Sequence, residues 1–397
     1  MSGALTITDA AVLDDGRVST ASIRAVDGRI EAVGAVDPQD GDTVVDAHGR
    51  TVVPGLIDAH FHAYGIGLDA FGIDQTPMSY VALAAGQRLR RALGRGFTTV
   101  RDVAGGDIGL ARAIEAGLIA APRYFYSGAA LSQTGGHGDP RPADVGSCAL
   151  SAHITEVVDG VDAVRTAVRD RLRTGAHCIK VMASGGVVSP TDPIRLPQYS
   201  EQELEAICTE AARRHSYVAA HAYSPESIVH AVRAGVRTIE HGNLLDAAAA
   251  QEMAMHGAFL VPTLVAYDAM NRRGAAVGLS EDGQEKNRQV LHAGQEAITT
   301  ARAAGVAIGF GTDLMGDLED DQLLGLRLQI EADGVDNVLR SATRVNADIL
   351  GREDLGRIAP GAVADMIILD ADPRTDASAL WDEARPRTVI RAGAVVG

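Results

Sequence analysis

Between residues 55 and 354, apolar strand-like runs alternate with helix-like runs eight times, and this alternation limits the fold more than any other feature of the chain. The strand-like runs are GLIDAHFH, FTTVRDV, RYFYSGAAL, HCIKVMASGG, YVAAHAY, TIEHGN, AFLVPTL and VAIGFGTD. Between them lie stretches such as SYVALAAGQRLRRALGRG, VDAVRTAVRDRLRTG and SEQELEAICTEAARRH, and several of these end at Gly, as helices commonly do. Strands separated by helices form a parallel sheet, and eight of them closing on themselves make a (β/α)8 barrel. An open doubly wound sheet would want a Gly-rich phosphate loop after its first strand, and HFHAYG is not one.

The two ends of the chain follow a different rule. ALTITDAAVLDDG, ASIRAVDGRIEAVG and DTVVDAHGRTVVPG are short alternating runs broken by Asp-Gly or His-Gly turns, and GAVADMIILDADP and RPRTVIRAGAVVG return to that style. We therefore expect an α/β protein. A TIM barrel occupies 55–354, and a small β-sandwich domain is built from 1–54 plus 355–397.

Composition narrows the class of partner. A net charge of −16 argues against nucleic acid, whose phosphates demand clustered Lys and Arg. Cys148, Cys178 and Cys208 are few and widely spaced, so neither a disulfide framework nor a cysteine zinc site is expected. No basic-then-apolar leader and no run of eighteen apolar residues is visible, which reads as a soluble, cytoplasmic chain without a membrane partner. We expect it to work as a homo-oligomer.

In a (β/α)8 barrel, chemistry gathers at the C-terminal ends of the strands. The first strand brings His60 and His62 there; side chains two apart share a face, so the imidazoles sit side by side. The fourth brings Lys180, the fifth His221, the sixth His241 and the eighth Asp313. Four histidines, a lysine and an aspartate at one rim point to a metal centre.

This pattern resembles the amidohydrolase superfamily in its binuclear form with a carboxylated lysine. The matching pieces are VVPGLIDAHFH, IKVMASGG, AAHAY, IEHGN, GTD and GRIAPGAVADMIILD, which together span nearly the whole chain. GGHGD at 135–139, with KVMASGG and HAY, resembles the prolidase-like and arginine/lysine carboxypeptidase-like branch. Ochratoxin-hydrolysing amidases and imidazolonepropionase-related proteins lie near it.

The resemblance implies two divalent metals, zinc on ligand type, bridged by a carbon dioxide-derived carbamate on Lys180. One metal would take His60, His62, Lys180 and Asp313, and the other Lys180, His221 and His241. A metal-bridging hydroxide would attack the amide, with Asp313 taking its proton and passing it to the leaving amine. His137 would polarise the scissile carbonyl, and Tyr223 would hold the substrate's carboxylate. The implied substrates are small molecules: dipeptides or N-acyl amino acids, cut before the C-terminal residue.

Three other readings compete. One is an imidazolonepropionase-like hydrolase of cyclic amides. Another is a deaminase, many of which carry a glutamate three residues after the strand-five histidine, where Ser224 stands here. The third is a non-catalytic scaffold missing ligands, and none is missing. The acidic run DLMGDLEDDQ reads as a solvated loop and helix N-terminus. Alternatively, Asp317, Glu319, Asp320 and Asp321 attract a cationic side chain, which leans the substrate slightly toward basic residues; hydrophobic residues or proline stay open. The pocket walls are expected from loops 63–78, 131–150 and 264–285. His48, His153, His177, His215, His230, His256 and His292 receive no role, and His177 should point outward.

Overall fold

The computed structural model describes residues 3–141, 153–189 and 191–397. Eight parallel strands form the barrel: Leu56–Phe61, Phe97–Asp102, Arg123–Tyr126, Ile179–Met182, Val218–Ala222, Thr238–His241, Phe259–Val261 and Ala307–Ile308. The first three pair in order, as do the fourth to the eighth. Backbone bonds close the ring on both sides. The His177 N–H donates to Tyr126 O (2.8 Å) between the third and fourth strands, and the Ala59 N–H to Phe310 O (2.9 Å) between the eighth and the first. Two further short strands, Ala130–Ser132 and Thr155–Val157, lie beside the fourth.

The helices obey local chemistry. Met78–Gly94, Val161–Arg173 and Glu201–Ala212 occupy the amphipathic stretches read from the sequence. Ser200 and Glu203 form a capping box at the last of these, so two otherwise orphaned N–H groups are satisfied. Each of the three turns one apolar stripe inward, for example Val81, Ala85, Leu89 and Ala92. Among the described residues no helix is long and apolar enough to cross a membrane.

Strands from both ends of the chain share one sheet. Thr51–Pro54 pairs with Met366–Leu369 on one side and with Leu5–Asp14 on the other. Asp15-Gly16 and Asp27-Gly28 make two-residue hairpin turns with positive φ at both positions, the geometry that suits the twist of antiparallel strands. Arg29 bridges back to Val363, which curls the sheet into a sandwich around Ile7, Val12, Ile23, Val52, Ile368 and Ile390. Its other face meets the barrel: Leu13, Val53, Ile367 and Leu369 pack in the same cluster as Leu56, Leu89 and Phe97.

Two of the expected pocket loops contain helices. Residues 264–285 include the helix Leu264–Arg273, and 63–78 include the short helix Ala70–Gln75. In LVAYDAMNRR the apolar residues recur on a helical period, and all but the polar Asp268, Asn271 and two arginines are buried. Of the third expected wall, residues 142–150 lie outside the described residues, as does Cys148; Cys178 and Cys208 are free thiols.

Candidate active site

The C-terminal rim of the barrel brings His60, His62, Lys180, His221, His241 and Asp313 around one cavity of about 110 Å³, which His137 and Tyr223 also line. All six are almost fully buried except Asp313, whose side chain is 16% exposed. Nε2 of His60 and of His62 approach Asp313 Oδ1 at 3.3 and 2.8 Å. The imidazole of His241 lies 4.9 Å from that of His60 and 4.6 Å from that of His221, centre to centre. His137 stacks on His221 at 4.1 Å. Tyr223 meets His221 edge-on, and its hydroxyl is 2.9 Å from that of Tyr267. A larger cleft of about 690 Å³, walled by Asp107, Tyr126 and Arg171, contains none of the six.

Strained backbone marks the rim. His241, Thr263 and Asp313 all have positive φ (76°, 45° and 55°), the first at the end of a barrel strand and the other two in the turns that follow theirs. Asp and His tolerate this region better than most residues, whereas β-branched Thr is an outlier there. The turn lets the Thr263 hydroxyl meet His241 Nδ1 at 2.8 Å. Close packing sets two further positions. A Cβ on Gly311 would lie 2.5 Å from His60 Cβ, and one on Gly186 would overlap the ring of His137.

Behind these residues lies a layer of buried charge that sequence reading passed over. Glu240 is fully buried; its Oε2 is 2.7 Å from His60 Nδ1, and its Oε1 accepts from Arg101 Nη2 at 2.8 Å. This bond fixes a proton on His60 Nδ1 and turns Nε2 toward the centre of the site, as orienting carboxylates do for metal-binding histidines. Asp58 accepts from the N–H groups of His60 and Thr312 (3.1 Å each) and from the Thr312 hydroxyl, tying the first strand to the eighth. Buried Arg88 donates to the carbonyls of His62, Leu314 and Gly316, locking the two ligand-bearing turns together.

The electrostatics follow from burial and crowding. Burial pushes the Lys180 ammonium down to about 8. Burial also lowers His221 and His241, and neighbouring cationic groups add to it. Burial alone would raise Asp313, but His60 and His62 outweigh it and hold the carboxyl well below the usual range. A carboxylate and four imidazoles in one buried cup, with His221 and His241 kept neutral by burial, form the donor set of a divalent metal site. Nδ1 of His62, buried without a hydrogen-bond partner, and the converging His60, His62 and Asp313 donors fit that group.

The family model for the amidohydrolase family matches residues 51–396. The chain belongs to the amidohydrolase family. Ochratoxinase from Aspergillus niger is 33% identical over 351 residues, 82% of this chain and 71% of that one. A prolidase crystallised with N-methylphosphonate-L-proline is 43% identical, with a TM-score of 0.96 over 99% of each chain. A Xaa-Pro dipeptidase with methionine bound in its active site is 30% identical, with a TM-score of 0.88 over 99% of each. This amidohydrolase thus falls in the prolidase- and ochratoxinase-like branch, a group of metal-binding hydrolases.

The acidic run after Asp313 does not face the cavity of this amidohydrolase. Glu319 is 1% exposed and pairs with Arg88, Arg91 and Arg95; Asp321 pairs with Arg272 and Arg273, and Asp320 with Arg95. Arginines on neighbouring helices neutralise Glu319 and Asp321, while Asp317 and Asp320 stay exposed in the turn that leads into the helix Gln322–Asp333, and none of the four lines the cavity as a lure for a cationic substrate. The cavity wall is instead apolar, formed by Leu68, Ile73, Val187, Met270, Met315 and Leu318. None of the seven other histidines lines it. His177 packs against Phe125 and Tyr126.

Proposed function

We propose that this amidohydrolase cleaves the amide bond before a C-terminal amino acid in a dipeptide or N-acyl amino acid, with an uncharged, apolar side chain on the released residue. The observation that carries the reading is the cluster of four histidines, a lysine and an aspartate opening into a cavity whose remaining wall is apolar. The likeness to a prolidase that binds a proline phosphonate supports it.

His60, His62 and Asp313 would hold one divalent metal and His221 and His241 another, with carboxylated Lys180 joining both. When bound, the metals supply Lewis acidity and a water acidic enough to attack at neutral pH. Asp313 would take a proton from the attacking water on a carboxylate oxygen and deliver it to the leaving nitrogen. His137 contacts the substrate beside the scissile amide. Tyr223, whose hydroxyl lies 2.9 Å from that of Tyr267, would donate its own proton in a hydrogen bond to the substrate carboxylate.

The test compares N-acetyl-leucine with its C-terminal amide, and with N-acetyl-lysine and N-acetyl-glutamate. A site built for the carboxylate leaves donors unpaired when it is missing, so the acid should be favoured in kcat/KM by about tenfold to a hundredfold. Lysine and glutamate derivatives should fall behind leucine, since no counter-charge waits in the apolar wall. Tyr223→Phe should harm the acid more than the amide. Equal rates for acid and amide would overturn the carboxylate handle.

Lys180 gives a second measurement. An ammonium cannot ligate a cation, but a lowered pKa makes the neutral amine available to carbon dioxide. Lys180→Ala should drop the metal content from about two per chain to one or none, with loss of most activity. Added short carboxylic acids should restore part of both. A variant that keeps two metals would show that Lys180 does not bridge them.

A further inference from the structure

All but two of the 36 Lys and Arg residues are arginine, and the exceptions are Lys180 and Lys286. Lys180 lies inside the cavity. Lys286, on the helix Glu281–Leu291, is also drawn inward, with its side chain only 12% exposed. Its ammonium donates to the backbone carbonyl of Ser189 (2.9 Å) and pairs with Asp282 one turn earlier (2.9 Å). A compact point charge fits between a carbonyl and a carboxylate where a planar guanidinium fork does not.

The bond matters because of what Ser189 touches. Its hydroxyl is 2.8 Å from His137 Nδ1, and it also reaches the Gly186 carbonyl at 3.2 Å. Residues 185–189 are thin at this point. A Cβ on Gly186 would overlap the His137 ring, and one on Gly283, in the helix that carries Lys286, would lie 3.1 Å from the Val187 carbonyl. The segment is therefore pressed between His137 and the helix, with Lys286 pinning its end.

We propose that Lys286 is a positioning residue for His137, acting through Ser189. Lys286 holds the Ser189 backbone, the Ser189 hydroxyl donates to the Gly186 carbonyl and accepts from Nδ1 of His137, and the ring's proton is thereby kept on Nδ1. Nε2 is the nitrogen left to face a bound substrate. The kinetic part of this inference rests on the amide-hydrolase reading; the tautomer part does not.

The experiment uses zinc-loaded protein labelled with 15N at histidine, with the His137 signal assigned from its loss in His137→Asn. Wild type should show His137 as the Nδ1–H tautomer. Lys286→Met and Ser189→Ala should each shift it toward a mixture, while metal content stays unchanged because neither residue touches a ligand. Each should lower kcat/KM for N-acetyl-leucine by about tenfold to a hundredfold, the scale of a small misplacement at a reacting centre. The double variant should be no worse than the worse single one, since both act along one path. Lys286→Arg should restore little. If Lys286→Met fails to fold, Ser189→Ala alone decides the tautomer. A wild-type tautomer in both variants overturns the proposal, as do additive losses. If no N-acyl amino acid is hydrolysed by wild type, the amide reading fails, and the tautomer shift still decides the role of Lys286.

Discussion

Asp313→Asn is expected to lower kcat by about a hundredfold or more, the scale set by general acid–base catalysis. The substitution preserves size and leaves an oxygen where the carboxylate had one, so the turn after the eighth strand should survive. What it removes is the group able to take and return a proton. The structure keeps Asp313 ionised, with two imidazole nitrogens on Oδ1 and His241 Nδ1 3.8 Å from Oδ2. The measurement is kcat with metal content determined on the same sample. Full metal content with a near-normal rate would show that another group moves the proton. Loss of metal together with rate would assign Asp313 chiefly to holding the cation.

How far the site was legible in the sequence depends on where each residue stands along its strand. His60, Lys180 and His221 sit where an apolar run ends, and in a parallel barrel that position alone directs a side chain to the rim. His241 and Asp313 were legible from the same rule, although strict alternation would have misplaced them. Glu240 and His241 are adjacent, yet both point into the centre, because the positive φ of His241 breaks the alternation. Glu240 and Arg101 were passed over for the opposite reason. Each lies within a strand, where a lone charge gives no hint of its partner, and the pair is separated by 139 residues. The acidic run after Asp313 misled because sequence gives charge without direction; only the packed helices show arginines waiting for Glu319 and Asp321. The hairpins were legible because Asp-Gly encodes a turn locally.

Arg101→Met is expected to destabilise the chain by about 3–5 kcal/mol, the usual cost of stranding one member of a buried ion pair. Arg101 has no exposed surface; besides Glu240 it donates to the Ala59 carbonyl (2.6 Å) and to the Thr238 hydroxyl (3.2 Å). Without it, the Glu240 carboxylate lies in the barrel lumen with the Thr238 hydroxyl and His60 as its hydrogen-bond partners. Denaturant unfolding of the metal-free protein measures the loss. The double variant Arg101→Met/Glu240→Leu separates two roles for the pair. Replacing a buried pair by apolar groups is often close to neutral, so most of the stability should return. Metal affinity should not return, because His60 Nδ1 then has no acceptor to fix its proton and aim Nε2. A titration of the metal-free double variant with zinc should show a tenfold to a hundredfold weaker site, in line with the loss of orienting partners elsewhere. Recovery of affinity along with stability would mean that the buried charges serve the barrel alone. Recovery of stability without affinity would mean that this barrel keeps a costly ion pair in its core because the pair orients His60.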